Sequence, residues 1–184
     1  DELNEALEHL KKRCGGSFSG STIACDLDGT LVKSDLLVEG ILREISYEPL
    51  RLIKAAAKTK LRPAPLKDFI ENASPTEATT LPYRNLIIEL LKIVKKEGAT
   101  LILATGANKK GAERVADELN LFDNVIASTS QINLKGNTKA DALDKIAPGG
   151  WIYLGDSNSD RALFKKSTGG LLIGASKRLR KKIQ

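Results

Sequence analysis

Short apolar runs alternate with amphipathic stretches along most of this chain, and that alternation narrows the folds open to it. Ile23-Ala24-Cys25, Thr100-Leu101-Ile102-Leu103-Ala104, Asn124-Val125-Ile126-Ala127, Trp151-Ile152-Tyr153-Leu154 and Leu171-Leu172-Ile173 each read as a buried strand. Between them, Leu86, Leu90, Ile93 and Val94 recur at helical spacing, as do Ala112, Val115, Ala116 and Leu119, and then Ala140, Leu143 and Ala147. Apolar strands separated by helices imply an α/β fold, a parallel sheet covered on both sides.

The alternation fails in one place. Residues 31–82 contain no convincing strand. Leu37, Ile41, Leu42 and Ile45 are spaced as in a helix, as are Leu52, Ile53, Ala56 and Ala57. Pro63 and Pro65 are expected to break the run before a further short helix at Leu66, Phe69 and Ile70. This stretch reads as a helical insertion directly after the first strand, leaving 22–30 and 83–176 as the core. Residues 1–21 read as an amphipathic helix followed by a flexible Gly/Ser linker, and 177–184 as a basic tail.

Composition excludes several chemistries. The only histidine is His9, so no polyhistidine metal site forms, and a Ser-His-Asp triad would have to recruit that one residue. Cys14 and Cys25 with one histidine cannot complete a four-ligand zinc site, and two thiols make no disulfide framework. Cys25 reads as a small buried hydrophobe. Unpaired thiols, no apolar run of membrane-spanning length and no signal peptide point to a cytoplasmic domain. Lysine plus arginine is 29 against 23 for aspartate plus glutamate, a net +6, and aromatics are 4%. That charge is modest and no stacking motif accompanies it, so no nucleic-acid partner is expected. Methionine is absent, so the chain is expected to be a piece of a longer protein.

The remaining chemistry lies at strand ends. The first strand runs into Asp26-Leu27-Asp28-Gly29-Thr30, and a later one into Gly155-Asp156-Ser157-Asn158-Ser159-Asp160. Ligands of such sheets bind outside the carboxyl ends of the strands. Four carboxylates meeting there repel by about 4 kcal/mol per close pair, so the cluster calls for a hard cation with oxygen ligands, Mg2+ first. Thr105-Gly106 falls at the tip of the second strand. Lys139 opens the helix before the fourth, with Lys135 as a rival four positions earlier. Even with a divalent ion and Lys139, one negative charge remains among the four aspartates. A phosphate dianion is then tolerated only if one carboxyl is protonated, which suits Asp28 as a general acid.

Taken together, these motifs resemble the haloacid dehalogenase (HAD) superfamily of phosphohydrolases. Asp26-Leu27-Asp28-Gly29-Thr30 matches its first motif, Thr105 the second, Lys139 the third, and Gly155-Asp156-Ser157 through Asp160 the fourth. The resemblance implies a Rossmann-like three-layer core with a small helical cap, 31–82, inserted after the first strand. It implies phosphomonoester hydrolysis through a phosphoaspartate. Asp26 would be the nucleophile, Asp28 the general acid and base, and Thr105, Gly106 and Lys139 the phosphoryl-binding groups. Mg2+ would be held by Asp26, the backbone carbonyl of Asp28, and Asp156, with Asp160 supporting the metal shell or Lys139.

Leu81-Pro82-Tyr83, Leu103-Ala104-Thr105-Gly106-Ala107, Asn120-Leu121-Phe122-Asp123 and Asn133-Leu134-Lys135-Gly136-Asn137-Thr138-Lys139 further resemble HAD domains fused ahead of UbiA-type prenyltransferases. That likeness implies a membrane prenyltransferase domain in the same full-length chain, and a location at the cytoplasmic face of the membrane. It also implies a small phosphate ester substrate, either a sugar phosphate or polyprenyl-linked phosphoribose. The rival from another class is a non-catalytic regulatory or interaction domain, receiver-like or a degenerate HAD. Asp28 and the long insertion stand against the receiver.

Overall fold

The computed structural model describes residues 2–156 and 160–173. Its sheet has five parallel strands in the order β3-β2-β1-β4-β5. These are β1 (Thr22–Cys25), β2 (Thr100–Asn108), β3 (Asn124–Ser128), β4 (Ile152–Gly155) and β5 (Gly169–Leu172). The chain builds outward from β1 to β3, then crosses back to add β4 and β5 on the other side. The crevice lies where that direction reverses, beside the carboxyl end of β1. Register then aligns the acidic tips: Cys25 pairs with Leu154, and the Asp26 N–H donates to the Leu154 carbonyl at 2.9 Å. Asp26 and Asp156 therefore leave the sheet on neighbouring strands.

Each central strand alternates between two helical layers, as a two-residue period requires. Ile23, Cys25, Leu101, Leu103, Ile152 and Leu154 belong to one apolar cluster, with side chains of α1 (Glu2–Arg13), α5 (Asn85–Lys96) and α6 (Lys109–Leu119). Ala24, Ile102, Ala104 and Tyr153 belong to the other, with Ala140 and Leu143 of α7 (Gly136–Ile146) and Leu163 of α8 (Arg161–Lys166). The expected α/β parallel sheet in three layers is what forms. Helix α5 buries Ile87, Leu90, Leu91 and Val94, so its inner face is turned slightly from the predicted Leu86 and Ile93. Each such fully buried side chain contributes roughly 1.5–3 kcal/mol.

The inserted stretch forms α2 (Leu36–Tyr47), α3 (Pro49–Thr59) and α4 (Pro63–Ala73), which pack on one another. Asp35 caps α2 by accepting from the N–H groups of Leu37 and Val38 at 2.8 and 3.2 Å. The helical run is interrupted before Pro63, as the sequence suggested, at residues 60–62, and the two prolines open the next helix. They occupy the first turn of α4, where amide hydrogens have no helical partner to lose. Helices α2 and α4 approach closely at Gly40, where a Cβ would stand 2.4 Å from Ile70 Cγ2. Two hydrogen bonds tie the ends of the insertion together: Lys33 N–H to the Pro82 carbonyl and Arg84 N–H to the Leu31 carbonyl, both 2.9 Å.

The Gly/Ser stretch after α1 also departs from expectation. Phe18 is fully buried there, and the Gly20 N–H donates to the Gly98 carbonyl at 3.1 Å. An aromatic anchor and a backbone bond hold what composition suggested was a free linker. Leu10 seats α1 against the core. The basic tail, 177–184, lies outside the described residues, as do Ser157, Asn158 and Ser159 of the last motif.

Candidate active site

Asp26 follows β1 directly and is buried among groups that balance its charge. Lys139, in the first turn of α7, places its Nζ 3.1 Å from Asp26 Oδ1 and 3.5 Å from Asp160 Oδ1. The same ammonium donates to the Ala104 carbonyl at 3.3 Å and to the Tyr153 hydroxyl at 2.7 Å. The Tyr153 hydroxyl in turn donates to Asp160 Oδ1 at 3.1 Å. Burial pushes the Asp26 carboxyl up to about 6, against the pull of Lys139 and with a push from Asp160. Its neighbouring carboxylates hold the Lys139 ammonium above its ordinary range despite burial. With a pKa of about 6, the carboxylate form of Asp26 predominates at neutral pH.

Asp28 lies two residues on, half-buried, and its Oδ1 accepts the Leu36 N–H at 2.9 Å. Burial, then the nearby Asp35 charge, pushes its carboxyl up to about 7. A group poised there both gives and takes a proton at physiological pH. Between the two acidic tips, Gly29 has φ +75, and a Cβ on it would lie 2.0 Å from Asp156 Oδ2. Only glycine meets both demands. Carboxylate oxygens of Asp26, Asp156 and Asp160 all lie within 4.8 Å of one another. Burial and Asp160 raise the Asp156 carboxyl. A close set of three hard oxygen donors of like charge fits a magnesium ion, which relieves their repulsion.

Thr105 and Gly106 are not at a strand tip. Strand β2 continues to Asn108, and its pairing with β3 slips: Ala104 faces Ile126, but Asn108 faces Ser128. Two extra residues bulge the strand beside the crevice. The Thr105 hydroxyl accepts the Ala107 N–H at 3.0 Å, which braces the bulge. Thr105 is fully buried and does not line the cleft, whereas Gly106 does. The Gly106 carbonyl accepts from Ser128 Oγ at 2.8 Å and from Lys67 Nζ of α4, so the inserted helices touch this loop.

The cleft has a volume of about 360 Å3 and is lined by Asp26, Asp28, Asp156, Asp160, Gly106 and Lys139. Six of the seven sequence-predicted site residues thus share one cavity. Lys135 lies on its rim with its side chain exposed, while Lys139 reaches Asp26. Three contributors escaped the sequence reading. Lys33 lines the cleft from the loop before α2. Lys67 belongs to an insertion that carries no motif. Tyr153 looked like one more strand residue; its signal was a phenol placed by alternation on the α7 side, where a buried hydroxyl needs a partner. Burial pushes the Cys25 thiol up, so it stays protonated and inert, as its place in an apolar strand suggested.

A model of the haloacid dehalogenase-like hydrolases matches residues 23–165. The uncharacterized protein y4nM of Sinorhizobium fredii is 32% identical over 163 residues, which is 88% of this chain. The chain spans 31% of that relative's length. Among solved structures, a HAD family hydrolase from Salmonella enterica serovar Typhi aligns with TM-score 0.65 at 18% identity, covering 89% of this chain and 65% of that one. A substrate-bound phosphoserine phosphatase aligns with TM-score 0.63 at 19% identity, covering 88% and 90%. A phospho-aspartyl intermediate analogue of phosphoserine phosphatase aligns with TM-score 0.62 at 21% identity, covering 89% and 91%. At these identities the likeness is one of fold.

Proposed function

Since the chain belongs to the haloacid dehalogenase-like hydrolases, we propose that it is a Mg2+-dependent phosphatase that hydrolyses small phosphate monoesters through a phosphoaspartate on Asp26. The supporting observation is one buried, largely ionised carboxylate, Asp26, held 3.1 Å from Lys139, with Asp28 near its proton-transfer optimum on the same cleft. In the first step, Asp26 Oδ attacks phosphorus, and the bond to the ester oxygen breaks as Asp28 protonates it. In the second, Asp28 takes a proton from water, which attacks phosphorus and releases phosphate and the free Asp26 carboxylate. Lys139 keeps Asp26 ionised and offsets phosphoryl charge, while Tyr153 and Asp160 fix the ammonium. Asp26, Asp156 and the Asp28 carbonyl would hold Mg2+, with Asp160 beside them; the ion supplies positive charge to the phosphoryl oxygens.

The test is p-nitrophenyl phosphate turnover with Mg2+. We expect activity that EDTA removes and that Asp26→Asn abolishes; full activity in that variant would remove Asp26 from the mechanism. On the finer level we place the substrate among sugar phosphates, polyprenyl-linked phosphoribose included, and a prenyltransferase domain in the same full-length chain. A phosphate-ester panel tests the first of these. Silence across it would favour the rival reading, a regulatory or interaction domain.

A further inference from the structure

We propose that the outer face of α2 and α3 docks on an anionic lipid surface. Most large apolar side chains that the described residues leave exposed belong to the inserted helices, although such side chains elsewhere find the core. On α3, Leu50 and Ile53 are 70% and 65% exposed. With Ala57 they form a stripe opposite the buried Ala55 and Thr59. Tyr47, at the junction with α2, is 80% exposed. Leu61 follows Lys60 in a second consecutive left-handed residue, at φ 55. That conformation costs roughly 1–2 kcal/mol for a residue with a Cβ. It leaves Leu61 68% exposed, so the strain is not repaid by burial in the core.

The charge around this stripe is mostly positive. From Tyr47 to Arg62 there are five cations against one carboxylate, the exposed Glu48. Of these five cations only Arg51 is in an ion pair among the described residues, with Glu44. Lys54 and Lys58 flank the stripe at helical spacing, so their stems lie along the apolar surface and their heads reach beyond it. An apolar stripe bordered by lysines, with a tyrosine at its end, suits the boundary between acyl chains and anionic headgroups. A second copy of the chain is disfavoured, since it would set one net-positive face against another. The face has few aromatics, which argues against stacking on nucleic-acid bases. No helix among the described residues is long and apolar enough to cross a membrane, so the contact is with the surface.

Cosedimentation with phosphatidylcholine vesicles, with and without phosphatidylglycerol, tests the proposal independently of catalysis. Binding is expected only with phosphatidylglycerol and is expected to fall with added salt. Each lysine near such a surface contributes about five-fold in affinity, so Lys54→Glu with Lys58→Glu should weaken binding roughly 25-fold or more. Leu50→Ser with Ile53→Ser should weaken it comparably while leaving the circular dichroism melt and basal phosphatase activity unchanged. Four results would each overturn the proposal. One is no binding to anionic vesicles. A second is equal binding to neutral ones. A third is binding that survives both double variants, which would assign it to another surface such as Lys177–Lys182. The last is concentration-dependent self-association in sedimentation velocity that Leu50→Ser with Ile53→Ser abolishes.

Discussion

Replacing Lys139 by methionine removes one positive charge from between two buried carboxylates. The side chains of Lys139, Asp26 and Asp160 are 4%, 11% and 3% exposed, so water cannot take over the role of the ammonium. At an effective dielectric of about 20, contacts of this length attract by roughly 5 kcal/mol each, largely offset by the cost of burying the ions. The variant retains that burial cost for the carboxylates and loses the compensation, so Lys139→Met should destabilise the fold by about 3–5 kcal/mol. The sharper expectation concerns the second variant. Asp160→Asn alone loses an ionic partner of Lys139 and should destabilise. Added to Lys139→Met, it removes one of two carboxylates left without a cation, and should restore roughly 1–2 kcal/mol. Urea unfolding of all four proteins at neutral pH, in EDTA so that no bound cation masks the difference, gives the numbers. A double variant less stable than Lys139→Met would refute the charge-balance account of this site.

Three other outcomes follow from particular contacts. Gly29→Ala places a methyl 2.0 Å from Asp156 Oδ2 at φ +75; it should cost about 1–2 kcal/mol and raise the Mg2+ concentration for half-maximal turnover at least ten-fold, by magnesium titration of wild type and variant. Tyr153→Phe leaves Lys139 with Asp26, Asp160 and the Ala104 carbonyl, so it should cost about 1–2 kcal/mol in urea while reducing kcat more than KM. The third is pH-dependent. Arg51 and Ser74 hold the Glu44 carboxyl below its ordinary range although burial opposes them. A carboxyl lowered on folding adds stability above its unfolded pKa, about 4.3, and loses it as pH falls through the folded value. The wild-type advantage in urea midpoint over Glu44→Gln should therefore shrink as pH falls below about 5; a difference that stays constant over that range would show that the Glu44 charge does not contribute.

Much of the fold was legible because its signals are local. Apolar triplets such as Ile23-Ala24-Cys25 have no surface to sit on except the inside of a sheet, and stripes such as Ala112, Val115 and Ala116 have a period that only a helix supports. The acidic tips were legible for a similar reason: Asp26 and Asp156 each follow a strand, and such ends open at one side of a parallel sheet. Errors arose where local rules are permissive. Gly/Ser composition says nothing of a Phe18 that finds a pocket, and strand length alone does not reveal that β2 runs past Thr105 to Asn108.

The order of strands and helices, the presence of an insertion and the carboxylate chemistry were thus written in the sequence, since each depends on neighbours a few positions away. Tertiary structure decided which residues of those segments face each other. The helix start favoured Lys139 over its rival Lys135, and the packing of α7 on the sheet brings the Lys139 ammonium to Asp26 while Lys135 stays exposed. Tyr153 becomes a bridge because register sets it opposite Ala24 and beneath Lys139. Thr105 turns inward because β2 slips against β3. Periodicity fixes the face a side chain occupies, but the group it meets across that face depends on packing between segments more than a hundred residues apart.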